Sequence, residues 1–198
     1  MLQLIRSKAI IFDIDGVVCD CSERIARYSD YKALERGDYN AFRVSMRAYN
    51  TAPVDEDIPI EHGIKLLRSL IDFHNPEHFT FLTSRGGESR ANTLGWLKEH
   101  VFSWLTDDNL IMRPEYIETE PGIFWREGEP KFCHIEFKRG ETLKLAQNFD
   151  IVMAADDHLP ICEMYQDLGV PALHVKFPGV DCLSKAGMTV PVVSSSNI

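Results

Sequence analysis

Hydrophobic residues in this chain fall in short blocks divided by polar, turn-forming segments, and the blocks alternate between two periods. Residues 9–12 are an unbroken apolar run of Ala-Ile-Ile-Phe, the pattern of a strand buried on both faces. Residues 78–82 and 150–155 read the same way. Residues 109–113 and 172–175 read as shorter strands, the former stopped by Pro114. Between them the apolar positions shift to helical spacing: Ile64, Leu67, Leu70 and Ile71 within 60–73, and Leu94, Leu97 and Val101 within 88–101. Residues 138–147 and 160–168 also read as helices, the last stopped by Gly169. Strands alternating with helices predict an α/β fold, a doubly wound parallel sheet covered on both faces.

Three segments break this rhythm. Residues 20–59 are polar and aromatic, with helices expected at 22–31 and 38–49, a break at Gly37, and a loop at 51–59 carrying two prolines and three acids. This pattern is too thin in apolar positions for the main sheet and predicts a small helical cap, inserted into a core of 1–19 plus 60–183. Residues 115–134, rich in Glu, Gly and Pro, read as irregular with a hairpin around Arg126-Glu127-Gly128. Residues 184–198, rich in Ser with Gly and Pro, read as a poorly ordered tail.

Charge narrows the partners. Among 198 residues, 21 basic against 30 acidic side chains give a formal charge of −9, which disfavours an extended DNA-binding surface but leaves room for a pocket that holds one phosphate. Five cysteines, an odd number without any C-x-x-C, suit reduced thiols in a cytoplasmic protein. Residues 1–8 lack the order of charge, apolar run and cleavage site of a signal peptide. No apolar run approaches the ~20 residues of a membrane helix, so no membrane partner is expected.

The first strand ends in Asp13-Ile14-Asp15-Gly16. Alternate residues of an extended chain point the same way, so both carboxylates can face one pocket at the carboxyl end of the sheet. Such a pair suggests a metal site or a nucleophile with its acid, although an Asp-x-Asp-Gly turn serves chain geometry too. Two more strand ends carry polar groups, Thr83 with Arg85 and Asp156 with Asp157, and Lys138 lies on the helix before the last pair. Together these types suit phosphoryl transfer: a carboxylate to attack phosphorus, a second to move the proton, a hydroxyl and a lysine to hold phosphoryl oxygens, and a carboxylate set for Mg²⁺.

Asp13-Ile14-Asp15-Gly16-Val17, Thr83, Lys138 and Asp156-Asp157 resemble, in order, the four motifs of the haloacid dehalogenase superfamily of phosphatases. Within it, Phe81-Leu82-Thr83-Ser84-Arg85, Met112-Arg113-Pro114, and Ala155-Asp156-Asp157 followed by Glu163-Met164-Tyr165 are similar to the phosphatase domains of bacteriophage polynucleotide kinases and their stand-alone relatives. The resemblance covers roughly residues 8–176. It implies Asp13 as nucleophile and Asp15 as general acid/base. Mg²⁺ would be held by Asp13, the Asp15 backbone carbonyl and Asp156, with Asp157 supporting the metal through water or orienting Lys138. Thr83 and Lys138 would bind the phosphoryl group, and Arg85 the substrate or its phosphate. Ser84, where the family often carries glycine, joins the substrate-binding set. Lys131 and Lys144 are rivals of Lys138, whose distance before Asp156 fits the family pattern better. The expected substrate is a nucleotide, a nucleic-acid 3′-phosphate end or another phosphorylated small molecule. A binding protein on the same fold without catalysis is the alternative from a different class. No G-x-x-x-x-G-K-[ST] occurs, so the kinase half of the phage enzymes is not expected.

In the cap, Arg24 with Arg27 and Arg43 with Arg47 fall on single helix faces, interleaved with Tyr28, Tyr31, Tyr39, Phe42 and Tyr49. An amphipathic cap with inward-packed aromatics is expected, with at least one Arg or Tyr reaching the substrate. His158 reads as a helix-entry residue, Cys19 and Cys21 as small packing residues, and Cys133-His134 lacks the further ligands of a zinc site.

Overall fold

The structure, a computed structural model, describes residues 6–126, 134–180 and 182. From the amino end the elements are β1 (Ser7–Phe12), β2 (Cys19–Asp20), α1 (Ser22–Tyr28), α2 (Tyr31–Glu35), α3 (Tyr39–Thr51), β3 (Ile58–Pro59), α4 (Glu61–His74) and β4 (His78–Gly86). They continue as α5 (Arg90–His100), β5 (Leu110–Arg113), β6 (Tyr116–Glu120), β7 (Ile123–Arg126), α6 (His134–Asn148), β8 (Phe149–Asp156), α7 (Leu159–Asp167) and β9 (Ala172–His174).

Five strands pair in parallel in the order β5-β4-β1-β8-β9. The most apolar run of the sequence, β1, therefore lies at the centre, and alternate side chains enter different cores. Ile10 and Phe12 pack with Leu67 of α4 and Trp96 and Leu97 of α5. Ala9 and Ile11 pack with Ile161, Met164 and Tyr165 of α7, against which α6 places Ile135 and Leu145. The expected doubly wound sheet is present. Its chain winds outward from β1 through β4 to β5, then crosses back to β8 and β9. The carboxyl ends of β1 and β8 thus flank the switch point, where such sheets open a crevice.

The element boundaries differ from the sequence reading where polar side chains intervene. The expected helix over 22–31 is divided, because the Asp30 carboxylate accepts the Ala33 N–H at 3.0 Å and starts a new helix. Within the expected loop, Ile58 and Pro59 form β3, antiparallel to β2. Strand β4 runs on to Gly86 through a register shift against β5. The hairpin exists, but its turn is at residues 121–122, with Gly122 at a φ of 76°, which favours glycine. The expected hairpin centre at Glu127-Gly128, Lys131, Cys133 and the tail at 184–198 lie outside the described residues.

Helices α1–α3 contribute to the wall of a cavity that also reaches Asp13 and Asp15 at the end of β1. The β6–β7 hairpin docks on α3. The Arg43 guanidinium lies 3.7 Å from the Trp125 ring centre and that of Arg47 5.1 Å from the Phe124 ring, while Asn40 Nδ2 donates to the Gly122 carbonyl at 2.9 Å. The two arginines that share one face of α3 thus have aromatic partners on the hairpin. Gly63 brings α4 onto the loop after β1, since a Cβ there would stand 1.7 Å from the Val17 carbonyl oxygen. Among the described residues no helix is long and apolar enough to cross a membrane.

Candidate active site

The chain leaves β1 in a tight loop. The N–H groups of Val17, Val18 and Cys19 all point to the Ile14 carbonyl, and Gly16 N–H donates to the Cys19 carbonyl at 2.8 Å. Gly16 has a φ of 75°, and a Cβ there would meet the Asp157 carboxylate at 2.0 Å. Glycine is required by conformation and by space at once. This loop turns Asp13 and Asp15 into different surroundings.

Asp13 is locked to the centre of the sheet. Its backbone N–H donates to the Ala155 carbonyl at 2.9 Å, its Oδ1 accepts the Ile14 N–H at 2.8 Å, and its Oδ2 lies 3.0 Å from Lys138 Nζ. Lys138, fully buried on α6, also meets Asp156 Oδ2 at 2.7 Å. The other Asp156 oxygen accepts the His158 N–H at 3.0 Å. Burial favours the neutral amine of Lys138, but the flanking Asp13 and Asp156 carboxylates outweigh it and hold the ammonium well above its ordinary pKa. Asp13, Asp156 and Asp157 bring carboxylate oxygens within 4.8 Å of one another. Burial, joined by neighbouring carboxylates, raises the Asp13 carboxyl well above the usual range despite Lys138, and pushes Asp157 up to about 8. One lysine does not neutralise the three carboxylates, and their all-oxygen donor set suits a hard divalent cation such as Mg²⁺.

The side chain of Asp15 stands apart from that cluster. Its Oδ1 receives Arg85 Nε at 3.0 Å and Nη2 at 2.5 Å. Burial raises its pKa, and the Arg85 guanidinium reverses the shift and holds it below the carboxylate norm. Arg85 lines the cavity, but its guanidinium is committed to protein partners: Asp15, Asp57 Oδ2 at 2.9 Å and Thr93 Oγ1 at 3.3 Å. Asp57 in turn takes two N–H groups of Arg24, each at 2.7 Å, and Arg24 stacks 4.1 Å from the Tyr49 ring centre. Arg24 is thus buried in a chain of charges from α1 to β4, whereas Arg27 is exposed and pairs with Glu56.

Thr83 is fully buried, with its hydroxyl accepting the Arg85 N–H at 3.2 Å, and Ser84 lines the cavity. Lys144, the rejected alternative to Lys138, is exposed and pairs with Glu141. His158 caps the start of α7, as expected, and also lines the cavity. Cys19 and Cys21 are buried free thiols. The cavity encloses about 200 Å³ and reaches Asp13 and Asp15, with Tyr31 of α2, Phe42 and Tyr49 of α3, and Tyr116 and Arg126 of the hairpin in its wall.

Sequence reasoning missed Asp57, Tyr116 and Arg126. Asp57 follows Asp55 and Glu56 in a loop where nothing marks one of three acids as buried. Tyr116 and Arg126 lie on two short strands, and the Glu- and Thr-rich run after Tyr116 blurs any alternation.

Lys138→Met tests the buried cluster. It leaves Asp13 and Asp156 facing each other without their cation, so a loss of about 3–5 kcal/mol in unfolding free energy at neutral pH is expected from chemical denaturation. Unchanged stability would mean that the cluster does not depend on the ammonium.

No protein-family model and no curated protein matches the chain. Solved structures do. A chain of the Pnkp1/Rnl/Hen1 RNA repair complex matches 87% of this chain with a TM-score of 0.53 at 15% identity, and this chain spans 43% of that one. A haloacid dehalogenase-like family hydrolase from Streptococcus pneumoniae matches 92% of this chain and 89% of its own length, with a TM-score of 0.53 at 14% identity. These matches show the fold: the five-stranded parallel sheet belongs to a haloacid dehalogenase-like fold.

Proposed function

We propose that this protein is a Mg²⁺-dependent phosphomonoesterase that works through an aspartyl phosphate on Asp13, with a nucleotide or a nucleic-acid 3′-phosphate end as substrate. The observation that carries the reading is the division between two carboxylates of one loop. Asp13 faces Lys138 within an oxygen cluster, while Asp15 is held outside it by Arg85. Two carboxyl groups in different surroundings can take different roles.

The Asp13 carboxylate attacks phosphorus, forming the acyl phosphate as the bond to the leaving oxygen breaks. Asp15 gives that oxygen its proton. The resting carboxylate of Asp15 is ionised beside Arg85, and a phosphate dianion arriving next to it favours the protonated form. In the second half Asp15 takes a proton from water, which attacks phosphorus and releases inorganic phosphate and free Asp13. Lys138 keeps its charge throughout and offers it to Asp13 and the phosphoryl oxygens, and Ser84 of β4 lines the same cavity as Asp13, with the buried Thr83 next to it in the strand. A bound Mg²⁺ would be held by Asp13, Asp156 and Asp157, with the Asp15 carbonyl implied by resemblance, and would supply the positive charge the cluster lacks. Arg85 and Asp57 position Asp15. In this reading 1–19 plus 60–183 form the core and 20–59 the cap, to which the hairpin adds a second part.

The test is phosphate release from para-nitrophenyl phosphate, nucleoside 3′- and 5′-monophosphates, 3′-phosphorylated oligonucleotides and sugar phosphates. Chelation with EDTA is expected to abolish turnover and Mg²⁺ to restore it, and turnover indifferent to chelation would remove the metal from the reading. A rate on oligonucleotides that falls steeply with salt, while that on mononucleotides does not, identifies a polynucleotide end. Absence of hydrolysis across the panel favours a silent binding protein.

A further inference from the structure

Arg126 ends β7 and is 4% exposed, yet its nearest carboxylate oxygen, Glu88 Oε1, lies 3.9 Å from Nη2. Its Nε and Nη1 have no hydrogen-bond partner among the described residues. The guanidinium is stacked 3.9 Å from the Tyr116 ring centre, and both side chains line the cavity that reaches Asp13 and Asp15. Burial holds Arg126 below the ordinary arginine pKa, only partly offset by Tyr116 and Glu88. Arg113, also buried, lines the same cavity, and Arg113, Arg43 and Glu88 act electrostatically on the Tyr116 phenol as well. A buried guanidinium with two donor atoms unmet among the described residues costs stability unless something else meets them. In a chain of charge −9, a cationic corner of the cavity has a purpose that the catalytic carboxylates do not supply.

Position says what that purpose is. Nη2 of Arg126 would stand 2.7 Å from a Cβ at Gly86, the residue after Arg85, so this corner begins where the catalytic strand end stops. Tyr31, Phe42 and Tyr49 form an aromatic wall of the same cavity. A ligand that puts one phosphate at Asp13 and a flat ring against these side chains would carry further anionic oxygens toward Arg126.

We propose that Arg126, with Arg113 beside it, is a second phosphate subsite, so that the preferred substrate is a nucleoside carrying a second phosphate across its sugar from the one removed. The proposal rests on the phosphatase reading above and adds the substrate class. Two sources share this chemistry: a free nucleoside 3′,5′-bisphosphate, and a polynucleotide 3′-phosphate end, whose last internucleotide phosphate occupies the same place.

The experiment compares kcat/KM with Mg²⁺ for a nucleoside 3′-monophosphate, the 3′,5′-bisphosphate and a 3′-phosphorylated dinucleotide, in the wild-type chain and in Arg126→Gln. The second phosphate is expected to raise wild-type kcat/KM about ten- to hundred-fold, mainly through KM, and Arg126→Gln to bring that ratio close to one. The larger ratio, bisphosphate or dinucleotide, names the source. A wild-type ratio near one overturns the subsite, and needs no variant to fold. A ratio that survives in folded Arg126→Gln overturns the assignment to Arg126. Calorimetric titration of Asp13→Asn with the mono- and bisphosphate reads the same preference without turnover. If no phosphomonoester is hydrolysed, the phosphatase reading fails while this binding ratio still decides the subsite.

Discussion

Asp13→Asn is expected to lower turnover by roughly 10⁴-fold or more while leaving the protein folded. The amide keeps the shape of the carboxylate and an oxygen for the Ile14 N–H, and it removes one charge from a cluster in which Asp13, Asp156 and Asp157 crowd together. Thermal unfolding should therefore occur at or above the wild-type temperature. Acid-quenched mass spectrometry should find a phosphoryl group on the peptide containing Asp13 in the wild type and none in the variant. Turnover within tenfold of wild type would take the nucleophile's role from Asp13.

Asp15→Asn is expected to slow the reaction by about 10²–10⁴-fold, and unequally. Para-nitrophenolate leaves without a proton, so its release should suffer least, whereas a sugar hydroxyl should leave very slowly. The carbonyl oxygen of the new side chain can still accept from Arg85, so the loss reports the missing proton transfer more than a collapsed site. Equal slowing for good and poor leaving groups, measured by single-turnover kinetics, would indicate that Asp15 shapes the site without moving a proton.

The parts of the fold that depend on burying apolar surface were legible in the chain. The run Ala9 to Phe12 is the central strand because it must be apolar on both faces, and Asp13, Asp156 and Lys138 meet because the ends of β1 and β8 are neighbours in the sheet. What could not be read depends on contacts between polar groups far apart in sequence. Arg24 and Arg27 share a helix face, yet one is buried on Asp57 and the other pairs with Glu56 at the surface, a distinction made by the fold of the 51–59 loop. Arg43 and Arg47 share a helix face, but nothing in the sequence shows that the hairpin supplies Trp125 and Phe124 as their partners. Arg126 sits at the edge of a segment rich in Glu and Gly, where local pattern gives no sign that a strand will carry it into a cavity.

Asp57 has a consequence for timing. One carboxylate holds Arg24 of α1 and Arg85 of β4, and Arg85 holds Asp15. A displacement of α1 from the sheet would pull on this relay, so under the proposed mechanism Asp15 keeps its place as acid only while α1 is docked. Docking of α1 and placement of the acid would then be coupled through one carboxylate, and water reaching the site with α1 displaced would meet an acid out of place.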